Sequence, residues 1–192
     1  MKKEKIFSTN TINNVNCARI GWQKHFDNSF GTTGTLEFGY IDGYKTAADI
    51  LVEQSNKTTL FDLLVFPIVF QYRQYLELVL KNIIIRSYEK ETAKKIIKDC
   101  SHDLRKAYDK AMEALEKIEA LENRKLINEE GKEFIKDVVN EYDDFDKFSF
   151  NFRYNYSRNL DDTVPKELYV DLNMLYEKMD KIEGLLYFSY GV

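Results

Sequence analysis

Three short polar constellations in this sequence carry side chains able to do chemistry. Arg73, Glu77 and Lys81 recur every four residues; His102 and Asp103 follow Ser101; and Arg153 and Arg158 stand among Phe152, Tyr154 and Tyr156. A guanidinium and a carboxylate four apart on a helix lie on one line and can orient each other or a partner. An imidazole works as a general acid or base near neutral pH, and the chain holds only two, His25 and His102. Arginines interleaved with aromatic rings stack on nucleobases or grip phosphates.

Each constellation also has a plainer reading. The four-residue ladder could be a solvent-facing stripe of weak ion pairs. Against that, 18 of the 26 residues from Leu60 to Ile85 are Leu, Val, Ile, Phe or Tyr, and charges on a mostly buried helix are costly unless paired or used. His102 and Asp103 could simply cap and polarise a helix start. Arg153 could clamp the acidic helix end at Glu141, Asp143, Asp144 and Asp146. In that reading Glu77 is its long-range partner, a buried pair tying the late loop to the central helix.

Periodicity supplies the elements that must position these groups. Ile41, Tyr44, Ala48 and Leu51 mark a first helix near 40–54. Thr59 and Asp62 read as the start of a long second helix running toward Ser87, with Pro67 inside it and expected to bend it. A third segment lies near 89–99. Ser101 is the expected N-cap of a fourth helix with the stripe Leu104, Tyr108, Ala111, Leu115 and Ile118. Asn128 or Glu129 opens a fifth, facing Phe134, Val138, Tyr142 and Phe145 inward. Pro165 suits the first turn of a last helix carrying Leu168, Leu172, Leu175, Met179, Ile182 and Leu186. Residues 1–38 lack helical periodicity and read as an irregular arm, with a short hairpin at Phe30–Phe38 and anchors at Trp22 and Phe26. The expectation is an all-α, single-domain bundle of five to six helices over 39–192 with a loop-rich N-terminal arm.

Composition narrows the classes. With 192 residues and 44% hydrophobic content the chain can bury one sizeable core. Only 8 Gly and 2 Pro favour helices over a turn-rich β fold. A net charge of -4 gives no global basic field. Cys17 and Cys100 are too few for a disulfide or zinc framework. Leu63 to Phe70 is apolar but bracketed by Asp62 and Arg73, well short of the roughly 20 residues of a membrane span. A soluble cytoplasmic protein is therefore expected. No phosphate-binding glycine loop, metalloprotease motif or nucleophile elbow occurs, so no cofactor and no metal are expected.

Taken in order, Tyr72-Arg73-x-Tyr75-x-Glu77-Leu78-x-Leu80-Lys81, then His102-Asp103-Leu104, then Phe152-Arg153-Tyr154, resembles a group of bacterial helical proteins related to the HEPN superfamily. The resemblance spans roughly 40–188. It implies a helical bundle, often dimeric, and in many members a metal-independent endoribonuclease of toxin–antitoxin, phage-defence or CRISPR-linked systems. The usual HEPN signature places a histidine four to six residues after an arginine; here Arg153 has none behind it. The implied site is then His102 as base on a ribose 2′-hydroxyl, Arg153 and Arg73 stabilising phosphorane charge, and Glu77 orienting an arginine. Lys81, Tyr154 and Arg158 would contact RNA. The alternative is a non-catalytic interaction module: a degenerate HEPN subunit, an immunity partner or a scaffold with a protein partner.

Overall fold

The computed structural model describes residues 36–165 and 167–186. Six helices follow in order: α1 (Leu36–Thr58), α2 (Phe61–Ser87), α3 (Lys90–Cys100), α4 (Leu104–Glu122), α5 (Glu129–Asp146) and α6 (Leu172–Leu186). The protein is all-helical. Among the described residues the only β feature is an isolated bridge between Tyr156 and Asp162. Trp22, Phe26, His25 and Cys17 lie outside the described residues, as does most of the expected hairpin. Its last residues, Leu36–Phe38, belong to α1.

The centre of the bundle is α2, which packs against α1, α3, α4 and α6. Its apolar residues run round more than one face, so Ile68, Val69, Tyr72, Tyr75, Leu76, Val79, Leu80, Ile83 and Ile84 are all buried. The helix continues through Pro67. By length and composition α2 is the one described helix that could cross a membrane, but half of its most apolar window is buried inside the bundle. Burial of that kind is what the core helix of a globular bundle shows.

Two expected helix starts shift, each for a local reason, and one expected core residue is exposed. Asp103, not Ser101, caps α4, and its carboxylate accepts the Lys106 N–H at 3.0 Å. Ser101 instead ends α3, its N–H bonded to the Ile97 carbonyl, and its positive φ does not suit an N-cap. The last helix begins at Leu172 rather than near Pro165, because Asp171 takes the Met174 N–H on its carboxylate at 2.9 Å and the Leu175 N–H on its carbonyl. Leu168 therefore lies in the preceding loop. On α5 the buried face is Ile135, Val138, Val139 and Tyr142, and Phe145 is exposed. Asn128 caps α5 as expected, accepting the Gly131 N–H at 2.8 Å.

Candidate functional site

The α2 ladder does not face solvent. Arg73 is wholly buried, and its guanidinium is engaged from three directions. Nη1 donates to Glu77 Oε2 at 2.8 Å, Nε to the Asp146 carbonyl at 3.1 Å, and Nη2 to the His102 carbonyl at 2.7 Å and the Lys147 carbonyl at 3.3 Å. One side chain thus joins the turn between α3 and α4 to the turn after α5. The fork geometry of arginine suits this task, since it offers several donors at fixed angles.

One turn further along α2, Lys81 donates to Glu77 Oε1 at 2.7 Å and to the Ser101 carbonyl. Burial pushes the Glu77 carboxyl pKa up, but the hydrogen bonds and charges of Lys81 and Arg73 outweigh it and hold the group below its ordinary value. Glu77 is a carboxylate with a cation on each oxygen.

The third partner of Glu77 is His102, whose Nδ1 lies 3.0 Å from Oε1. An ionised carboxylate only accepts, so the neutral ring carries its proton on Nδ1 and keeps its lone pair on Nε2. The imidazole side chain is 54% exposed, whereas that of Glu77 is 3% exposed. The turn that presents it is strained. Ser101 has φ 49 and ψ -116, and the Asp103 N–H closes the turn on the Cys100 carbonyl at 2.9 Å. That is the first central position of a type II′ turn, which glycine normally occupies. A side chain there costs on the order of 1 kcal/mol and persists only where surrounding contacts hold it. Here Lys81 and Arg73 each hold one carbonyl of the turn.

The facing turn is built on Asp146, which the sequence marks only as one charge of an acidic helix end. It is buried, and its Oδ1 accepts the N–H groups of Phe150 at 2.6 Å and Asn151 at 2.8 Å. Burial raises its pKa, against the opposing N–H groups and the Arg73 charge. Oδ2 lies 3.4 Å from Arg73 Nε without a hydrogen bond, because that N–H is directed at the Asp146 carbonyl. Ser149, also left-handed at φ 58, accepts the Arg153 Nε–H on its carbonyl.

Arg153 is therefore not the partner of Glu77. It is exposed, and its guanidinium sits 5.7 Å from the Phe70 ring centre and 5.5 Å from that of Tyr154. Arg73 and Asp146 make the buried link that the sequence assigned to Glu77 and Arg153. Full burial also removes Arg73 from any direct contact with a phosphate. Lys81, 14% exposed, is committed to Glu77 and Ser101. Tyr154 and Arg158 are exposed on the late loop, and the Tyr154 ring packs on Phe150 with centres 4.8 Å apart. So the structure gathers Arg73, Glu77, Lys81 and His102 directly, and sets the turn leading to Arg153 beside them. Asp146 carried no distinguishing signal among Asp143, Asp144 and Asp146. Ser101 had none either, since only backbone angles reveal it.

Two neighbouring clefts flank the late loop. One, of about 350 Å3, is lined by Val69, Tyr142, Phe145, Met174 and Leu175 among others; the second, of about 560 Å3, by Phe66, Tyr154, Val164 and Pro165. Phe152, Leu168 and Val170 line both. Among the described residues no three His, Cys, Asp or Glu side chains converge as metal ligands. The chain matches no family model, no curated protein and no solved structure.

Proposed function

We propose that this chain is a HEPN-like, metal-independent endoribonuclease of a defence or toxin-type system, acting in the cytoplasm, with His102 as its working base. The observation that carries the reading is a half-exposed imidazole bound through Nδ1 to a buried carboxylate and displayed on a strained turn. Residues held in such strained conformations by their neighbours cluster at functional sites. In the reaction, His102 Nε2 takes the proton of a ribose 2′-hydroxyl, and O2′ attacks the adjacent phosphorus. The bond to O5′ breaks, leaving a cyclic phosphate; the leaving oxygen takes a proton from solvent water, and the imidazolium returns its proton to solvent. Glu77 stabilises the imidazolium that forms, as a carboxylate behind a histidine does. Arg153 supplies positive charge to the phosphorane and Tyr154 a stacking face, with Arg158 along the strand. Arg73 and Lys81 position the turn and do not touch RNA.

The test is incubation of the purified protein with mixed cellular RNA in EDTA. Cleavage that disappears in His102→Ala, with melting unchanged, is the expected result. Intact RNA at large protein excess, together with no toxicity on expression, would overturn it. A second reading, a non-catalytic interaction module, is favoured by the complete burial of Arg73 and by the paired apolar clefts. It expects His102→Ala to be silent in every RNA assay.

A further inference from the structure

Far from His102, the seam between α1 and α6 holds an unusual imbalance of charge. Lys45 is buried on α1, and its Nζ lies 3.0 Å from Asp49 Oδ2, 3.3 Å from Asp180 Oδ1 and 3.0 Å from Glu183 Oε2. Asp42, one turn before Lys45, is half-buried and feels the charges of Glu183 and Lys45. Tyr72 of α2 donates to Asp49 Oδ1 at 2.7 Å, and the Tyr176 ring of α6 lies 5.8 Å from the ammonium. Behind Tyr72 stands the phenol of Tyr142 on α5. Four carboxylates, Asp42, Asp49, Asp180 and Glu183, therefore share a single cation. Lys45 stays protonated, because its bonds to Asp49 and Glu183 raise its pKa in spite of burial.

Among the described residues α6 buries Leu172, Met179, Ile182 and Leu186, and beyond the lysine cluster its polar ties include Asn173 with Asn56, Lys178 with Glu141 and the Lys181 ammonium 3.9 Å from the Phe134 ring centre. Any gain or loss of charge at the cluster must then show in how firmly α6 sits.

We propose that α6 is seated by an acid-strengthened clasp, in which protonation of Asp42 relieves repulsion from Glu183 and tightens the helix against α1. The inference is independent of the ribonuclease reading. Burial first, and Glu183 second, raise the Asp42 pKa from 3.8 to about 6, with Lys45 opposing. The sign follows from linkage. A carboxyl whose folded pKa is raised weakens the fold while ionised, and that loss is recovered as the pH falls from about 6 toward 3.8. If the whole shift is felt by α6, its opening equilibrium changes up to about a hundredfold across that window.

The experiment is amide hydrogen exchange over residues 172–186 in the full chain at pH 4.5, 6 and 7.5, wild type beside Asp42→Asn. The amide keeps the size of the side chain and removes its charge. Comparing the two proteins at each pH cancels the intrinsic exchange rate. We expect Asp42→Asn to protect α6 more than wild type at pH 7.5, by up to about a hundredfold, and that excess to shrink to less than about tenfold at pH 4.5, with α4 peptides unchanged throughout. Equal protection at pH 7.5, or a difference that persists undiminished at pH 4.5, overturns the clasp. Lys45→Met provides an independent readout, since removing the cation must loosen α6 most at high pH; uniform loosening at every pH counts against the proposal.

Discussion

Replacing Arg73 with Met is the severest single test of the buried network. The substitution keeps an unbranched apolar stem and deletes the guanidinium. Glu77 retains Lys81 and His102, so its loss is partial. The Asp146 carboxylate retains the N–H groups of Phe150 and Asn151, and the carbonyls of Asp146, His102 and Lys147 lose the guanidinium that joins them. Breaking a buried pair by removing one partner costs roughly 3–5 kcal/mol, because the other charge stays buried. That is a large share of the roughly 5–15 kcal/mol that holds a domain folded. At about 2–4 °C per kcal/mol for a chain of this size, melting should fall on the order of 10 °C. Urea unfolding followed by circular dichroism measures it, with the slope unchanged and the midpoint lowered. Arg73→Met with Glu77→Gln should recover part of the loss, since both ends of the pair are then neutral. A midpoint corresponding to less than about 1 kcal/mol of change would refute the reasoning, because it would mean that the guanidinium is not needed to hold the two turns.

Other consequences are as open to measurement. The Glu77 pKa is held below its ordinary 4.5, so its contribution is complete above that value and is lost as the pH falls through the folded pKa; Glu77→Gln should flatten the acid limb of a stability–pH curve. Ser101→Gly should raise stability by about 1 kcal/mol in the same urea assay, by relieving the positive φ, while Ser101→Ala should not. Gly131→Ala should destabilise by roughly 1–3 kcal/mol, because a Cβ there would stand 2.9 Å from Ile127 Cγ2 and 3.0 Å from both Asn128 Oδ1 and Leu185 Cδ2. A thermal melt unchanged within a degree would contradict that.

Much of the bundle was legible in the chain because burial leaves a period. The stripes of α4 and α6 and the near-continuous apolar run of α2 each gave their helix, and Asn128 gave the start of α5. The charged ladder was legible for the same reason: on so apolar a helix, charges four apart had to meet something. Which groups they meet was not legible. Asp146 ends α5 and Arg153 follows it, and sequence spacing does not distinguish a carboxylate folded inward from a guanidinium folded outward. Nor do residue types disclose that a serine occupies a glycine-like conformation at Ser101, since the contacts enforcing it come from another helix. The start of α6 was misplaced because proline and aspartate both open helices, and here the capping carboxylate of Asp171 decided.

Connecting loops are ordinarily where a chain absorbs insertions and deletions with least consequence. The shared grip of Arg73 removes that freedom at Cys100–Asp103 and Asp146–Ser149. Lengthening either by one residue would draw a carbonyl off the guanidinium and slacken the opposite loop as well. Tolerance to altered length should therefore reside between Asn155 and Val164, where, among the described residues, the backbone hydrogen bonds are made within the loop itself.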